Sequence, residues 1–331
     1  MTGRDGIDDR FARRLLAAAV GILWLVDGLL QFRPEMAMNS LAMVAMGGWD
    51  QPAWLLNAVD GVLMAVYRHR LLAPFDLALG LGQAAIGALL LAVGPDARLG
   101  RTALWASVVA AAVVWTLGEW MGGLWTFAAG GFSFLFGGPG PVVPYAVAAV
   151  LLLPVGRRLG PDLPTALRRA WAGLWLLGAL AQAVPALWQR PALADAFSEA
   201  QVLTRQAWWT RPIAAASALA GHHPALVNAL ALAAVLLVGL GALGRRPSLA
   251  LHLFVVAFLA AVWWLGENFG GLPSGAATDP SSAPAWAALY LPLWWRARAA
   301  PRSAVLYSGG TAAAPWRSAG EDVVRARSEE G

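Results

Sequence analysis

Apolar residues in this chain fall in long unbroken runs, not in alternation with polar ones. The runs lie at about 15–32, 74–93, 102–119, 141–156, 170–188, 224–243, 249–266 and 283–295. A hydrocarbon core about 30 Å thick takes roughly 20 helical residues to cross. The pattern predicts an all-α polytopic membrane protein with about eight transmembrane helices. The runs at 141–156 and 283–295 are short for a crossing, which tilt or local thinning of the bilayer accommodates. The stretch Leu41 to Tyr67 is apolar but carries Asp50, Pro52, Asn57 and Asp60. It reads as an outer interfacial helix lying flat, with an amphipathic face. The run at 15–32 is too long for the core of a signal peptide and reads as a retained helix. The segment 297–331 has no apolar period and reads as a disordered tail.

Composition narrows the class further. Hydrophobic residues make up 59% and charged residues 13% of 331 residues, which excludes a soluble globular enzyme. All 24 basic residues are Arg, and they flank the apolar runs. With the N-terminus in the cytoplasm, 18 Arg fall on cytoplasmic segments and six outside, so both termini are placed inside. The net charge of +5 is thereby a topology signal and gives no reason to expect nucleic-acid binding. The Lys-free, Ala-, Gly-, Arg- and Pro-rich composition suggests a high-GC bacterial genome, and a polytopic helical protein is then expected in the bacterial cytoplasmic (inner) membrane. The absence of Cys excludes disulfide and thiol chemistry in this chain.

The chain also matches itself. Trp24-Leu25, Gln31 and Pro34 recur as Trp175-Leu176, Gln182 and Pro185, and Pro74 recurs as Pro224. The segment Trp115 to Leu124 recurs as Trp263 to Leu272 with seven of ten positions identical. Ordered anchors at nearly constant offset indicate a tandem duplication. The resulting plan is a cytoplasmic segment 1–14, a four-helix repeat 15–156, a linker 157–169, a second repeat 170–296 and the tail 297–331. An even helix count per repeat makes the repeats parallel, an arrangement found in several transporter folds. The first-helix segment Trp24 to Pro34 and the Gly-Glu-x-x-Gly-Gly pattern at 118–123 and 266–271 resemble the DoxX-like membrane proteins and uncharacterised actinobacterial membrane proteins. That resemblance implies a four-helix unit and an association with quinone- or thiol-linked membrane redox systems. Quinone is the cofactor it suggests.

Helices one and three of each repeat end at the same outer face. This gathers Asp27, Gln31 and Glu119 in the first repeat, and Gln182 and Glu267 in the second, as candidates for a ligand or proton site. Each Glu stands at a helix C-terminus, the unfavourable end of the dipole by ~0.3–1 kcal/mol, and needs compensation. Arg33 and Arg190 are the local charge partners. Gly178 takes the place of Asp27 in the second repeat, so the half-sites are not equivalent. Asp76, in the first turn of helix two, is explained by the dipole alone.

Other residues carry less. Met36, Met38, His69, His222 and His223 bring thioether and imidazole to the outer face, a pairing suited to Cu(I). Met36 also fits the buried stripe of an amphipathic helix, and no metal site is assigned. Trp24, Trp115, Trp175, Trp263 and Trp264 serve bundle packing or wall a pocket for a flat ring. The loops 118–144 and 270–284 are Gly-rich and apolar, and are placed to fold back as lids. No nucleotide-binding, zinc-hydrolase or nucleophile-elbow motif occurs. The expected function is binding or transfer of a small ligand at an outward-facing site between the repeats. The alternatives are a subunit of a quinone-linked redox system, or an assembly protein with an unidentified protein partner.

Overall fold

The computed structural model describes residues 3–34, 36, 44, 51–189, 191–201, 206–244, 247–274 and 277–299. Met38, Arg190 and the tail beyond Ala299 lie outside them. The described residues are all-helical, with no strand. The long helices are α1 (Gly3–Leu30), α2 (Ala53–Arg68), α3 (Leu72–Val93), α4 (Arg98–Leu117), α5 (Val142–Leu152) and α6 (Leu163–Gln182). They continue with α7 (Ala192–Gln201), α8 (Ala207–His222), α9 (Pro224–Gly241), α10 (Leu249–Ala261) and α11 (Ser282–Ala299). Helices α3, α4, α9 and α10, the last extended as a π turn to Gly266, are long and apolar enough to cross a membrane.

Contacts at the helix ends fix their directions. Arg13 on α1 pairs with Asp96 after α3, at 3.0 Å, and donates to the Leu152 carbonyl at the end of α5. Asp9 accepts from the Leu163 amide at the start of α6. These termini therefore share one end of the bundle, the one rich in arginine. The last turn of α1, the turn after α4 and the start of α5 share the other.

The tightest crossing is α1 on α3. Gly21 and Gly28 face Gly80 and Gly87, spaced seven apart on each helix. A Cβ on Gly87 would lie 2.5 Å from the Gly21 carbonyl oxygen and 2.7 Å from the Leu25 nitrogen. A Cβ on Gly28 would lie 2.6 Å from the Ala84 nitrogen. Small residues are the usual means of bringing helices together where lipid supplies no hydrophobic drive. The core beside this crossing is aromatic. Trp171 and Trp175 of α6 pack with Trp286 and Tyr290 of α11, ring centroids 4.9–6.0 Å apart. Trp24 lies edge-on to Tyr145 of α5 and donates to Ser107 of α4 at 2.8 Å.

Several sequence expectations change. Helix α1 begins at Gly3, well before the apolar run, and α11 is longer than its run. The stretch between the runs at 170–188 and 224–243 holds α7 and α8, which bury Leu193, Phe197, Ile213 and Ala220 on one face each. Their acidic and arginine residues interrupt the apolar pattern without breaking the helical period. Helix α2 covers part of the stretch expected to lie flat and buries Leu55, Val59 and Val66.

Candidate functional site

The Gly-Glu-x-x-Gly-Gly segments fold the same way at both places. The Glu119 amide bonds the Val114 carbonyl, and the Glu267 amide bonds the Val262 carbonyl, five residues back in each case. Four residues then run left-handed: Trp120, Met121, Gly122 and Gly123 at φ 50–79°, and Asn268, Phe269, Gly270 and Gly271 at φ 45–69°. Two non-Gly residues in each run cost about 1–2 kcal/mol apiece, so the reversal must be held from outside. The Trp115 indole donates to the Pro139 carbonyl at 2.7 Å, and the Trp263 indole donates to the Pro280 carbonyl at 2.8 Å.

This turn answers the dipole problem. The backbone of each Glu still closes its own helix, but the reversal that follows brings the N-terminus of the next long helix back to its side chain. Glu119 Oε1 accepts from the Val142 amide at 3.2 Å, and Glu267 Oε2 accepts from the Ala283 amide at 3.1 Å. A carboxylate is favourable at an N-terminus. Of the two expected arginine partners, Arg33 bridges neither Glu, and Arg190 lies outside the described residues.

Around Glu119 the structure leaves a cavity of about 300 Å³. Helix α1 contributes Asp27 and Gln31, and α3 contributes Asp76 and Gln83. Val59, Val62 and Leu63 of α2, with Phe75 and Leu79 of α3, make an apolar wall. Thr278 and Asp279 arrive from the loop before α11. That loop is held by the Gln31 amide, which donates to the Thr278 carbonyl at 3.2 Å. Asp279 accepts from its own turn, at 2.7 Å each from the Ser281 amide and the Thr278 hydroxyl. Burial pushes the Asp279 carboxyl above its ordinary range. Glu119 Oε2 and Gln83 Oε1 are buried without a hydrogen-bond partner. Tyr145 donates to Asp27 across a long 3.4 Å.

The region around Gln182 and Gly178, by contrast, is filled. Gln182 is fully buried, accepts from the Ser133 hydroxyl at 2.7 Å and donates to Asn228 at 2.6 Å. Asn228 donates back to the Gln182 carbonyl. Phe134 covers Gly178, where a Cβ would meet its ring at 2.9 Å. Both Glu267 oxygens are used, one by the Ala283 amide and one by the Ser282 hydroxyl. The two loops expected to fold back as lids therefore each reach the other half. The first carries Ser133 and Phe134 into a closed packing, and the second carries Thr278 and Asp279 to an open cavity.

Of the residues singled out from sequence, Asp27, Gln31 and Glu119 meet in the cavity. Gln182 and Glu267 take hydrogen-bonding places away from it. Asp76, explained beforehand by the helix dipole, is buried in the cavity wall. Met36 also lines the cavity, whereas His69, His222 and His223 are exposed at helix ends. Among the described residues no three His, Asp or Glu converge as a metal site. None of the five inner Trp borders the cavity, so they do not wall it for a flat ring. No family model, curated protein or solved structure matches the chain.

Glu267 gives a pH prediction. Burial, set against the Ser282 and Ala283 hydrogen bonds, raises its carboxyl from 4.5 to about 7. The unfolded chain then loses this proton at lower pH than the folded one. Stability falls as pH rises from about 4.5 through 7 and levels off above. The Glu267→Gln variant lacks this term. Its stability relative to the parent protein should grow by about 3 kcal/mol from pH 4.5 to 8, read as the difference in thermal transitions in detergent. A difference that stays constant across that range contradicts the assignment.

Proposed function

We propose that the chain is an eight-span protein of the bacterial inner membrane, built from two parallel four-helix repeats, which binds or transfers a small ligand from the outer face. The cavity beside Glu119 carries this reading. Its size is that of a small-molecule site, its wall is apolar, and a few polar groups converge on it. Helices form at each of the eight apolar runs, and the paired left-handed turns with their Trp braces and Glu caps support the repeat. Packing adjusts its register. Gly87 lies against Leu25 and Gly239 against Trp175 and Leu176, an offset of 152 that pairs Asp76 with Asn228 rather than Pro74 with Pro224. In this reading each four-helix unit is DoxX-like, the arginine-rich end faces the cytoplasm with both termini, and the cavity opens outward.

The absence of Cys makes the orientation directly testable. A Thr278→Cys variant should react with a membrane-impermeant maleimide in intact cells. An Arg101→Cys variant, at the opposite end, should react only after the membrane is opened. The reverse pattern overturns the proposed orientation.

A further inference from the structure

The cavity also indicates the class of its ligand, an inference that rests on the small-ligand reading above. We infer that it takes an amphiphilic organic cation, an ammonium group carried on a compact apolar body.

Among the described residues, four carboxyl side chains, Asp27, Asp76, Glu119 and Asp279, border the cavity, and no Arg, Lys or His does. A ligand entering it meets carboxyl groups and no fixed cation of the lining. The two buried atoms identified above as lacking a partner, Glu119 Oε2 and Gln83 Oε1, are both acceptors, and Gln83 is only 6% exposed. Buried acceptors of this kind call for a donor. An ammonium supplies donors and positive charge together. The carboxyls are spread around the wall and do not meet at one point, so they suit an extended ligand better than a bare ion. Apart from Gln31 and Thr278, the rest of the lining is apolar, Phe75 included, and matches an apolar body.

The second half serves as an internal control. There Gly178 stands for Asp27, Asn228 for Asp76 and Val235 for Gln83, and the space is filled by Phe134. The four-helix unit thus folds without these acids. They accompany the open cavity and are not demanded by the helix packing.

The test uses three probes of one shape: 2-phenylethylammonium, neutral 2-phenylethanol and anionic phenylacetate. Binding to the purified full chain in detergent is followed by calorimetry. The ammonium should bind at least about tenfold more tightly than the alcohol, and the anion more weakly still. Asp279→Asn and Asp76→Asn should each remove most of that preference while keeping the apparent melting temperature within a few degrees. Both are near-isosteric, and Asn at 76 copies the native residue at 228. A Leu79→Trp variant, which fills the cavity, should abolish binding of every probe. Equal or tighter binding of the alcohol or the anion, still lost on Leu79→Trp, overturns the cation class and leaves a small-ligand site. No binding of any probe at millimolar concentration overturns both readings.

Discussion

Replacing Gly87 with leucine should be the most damaging single change in this protein. At that position even a methyl group would come within 2.7 Å of two backbone atoms of α1, the Gly21 oxygen and the Leu25 nitrogen. Backbone cannot rotate aside as a side-chain tip can. The helices must separate, and the contact that Gly21, Gly28, Gly80 and Gly87 make possible is lost along its length. Overpacking an ordinary core costs about 1–3 kcal/mol because neighbouring side chains adapt. Here the obstacle is main chain, so the loss should reach or exceed the top of that range. Gly87→Ala should lie between the parent protein and the leucine variant. The separation also moves Asp27 and Gln31 on α1 away from Asp76 and Gln83 on α3, so ligand binding should fall with stability. Melting of the detergent-purified variants checks the order. A leucine variant that melts with the parent protein rules out the crossing as described.

That crossing shows why the helices were legible in sequence and the site only partly so. Hydrocarbon thickness imposes long apolar runs, and these appear without any knowledge of packing. Helices α7 and α8 escape such a reading because Asp195, Glu199 and Arg211 break the runs while the buried stripe persists. Asp27, Gln31 and Glu119 are visible because polar groups within apolar runs require a reason. Thr278 and Asp279 are not, because they reach the cavity from a loop more than 240 residues away in sequence from Gln31. Glu119 and Glu267 are the harder lesson. Their local segments are identical at seven of ten positions and fold alike, yet only Glu119 keeps a free oxygen on a cavity. The difference lies in what the opposite half delivers: Asp279 to one, Phe134 to the neighbourhood of the other. Local sequence encodes the turn and the cap, and the tertiary crossing of the loops decides which of the two Glu keeps a cavity beside it.

Phe134 is therefore the second place where one substitution should have a large effect, and its consequences separate stability from binding. Its ring is 1% exposed, stacks on Trp286 at 5.4 Å and meets Trp175 edge-on at 5.3 Å. It also occupies the space over Gly178. Phe134→Ala should cost about 3–5 kcal/mol, the usual range for emptying a well-packed aromatic site. The Glu119 cavity borders neither Phe134 nor Gly178, so the affinity of a ligand bound there should be unchanged in the folded fraction. Gly178→Leu alone should also destabilise, because its side chain runs into the ring. Combined with Phe134→Ala, the leucine enters the vacated space, and the double variant should be more stable than the sum of the two losses predicts. Coupling of this sign is the signature of shared volume. Strict additivity of the two changes would show that Phe134 does not fill the space over Gly178, and with it would go the explanation of why the open cavity lies beside Glu119 and not beside Gln182.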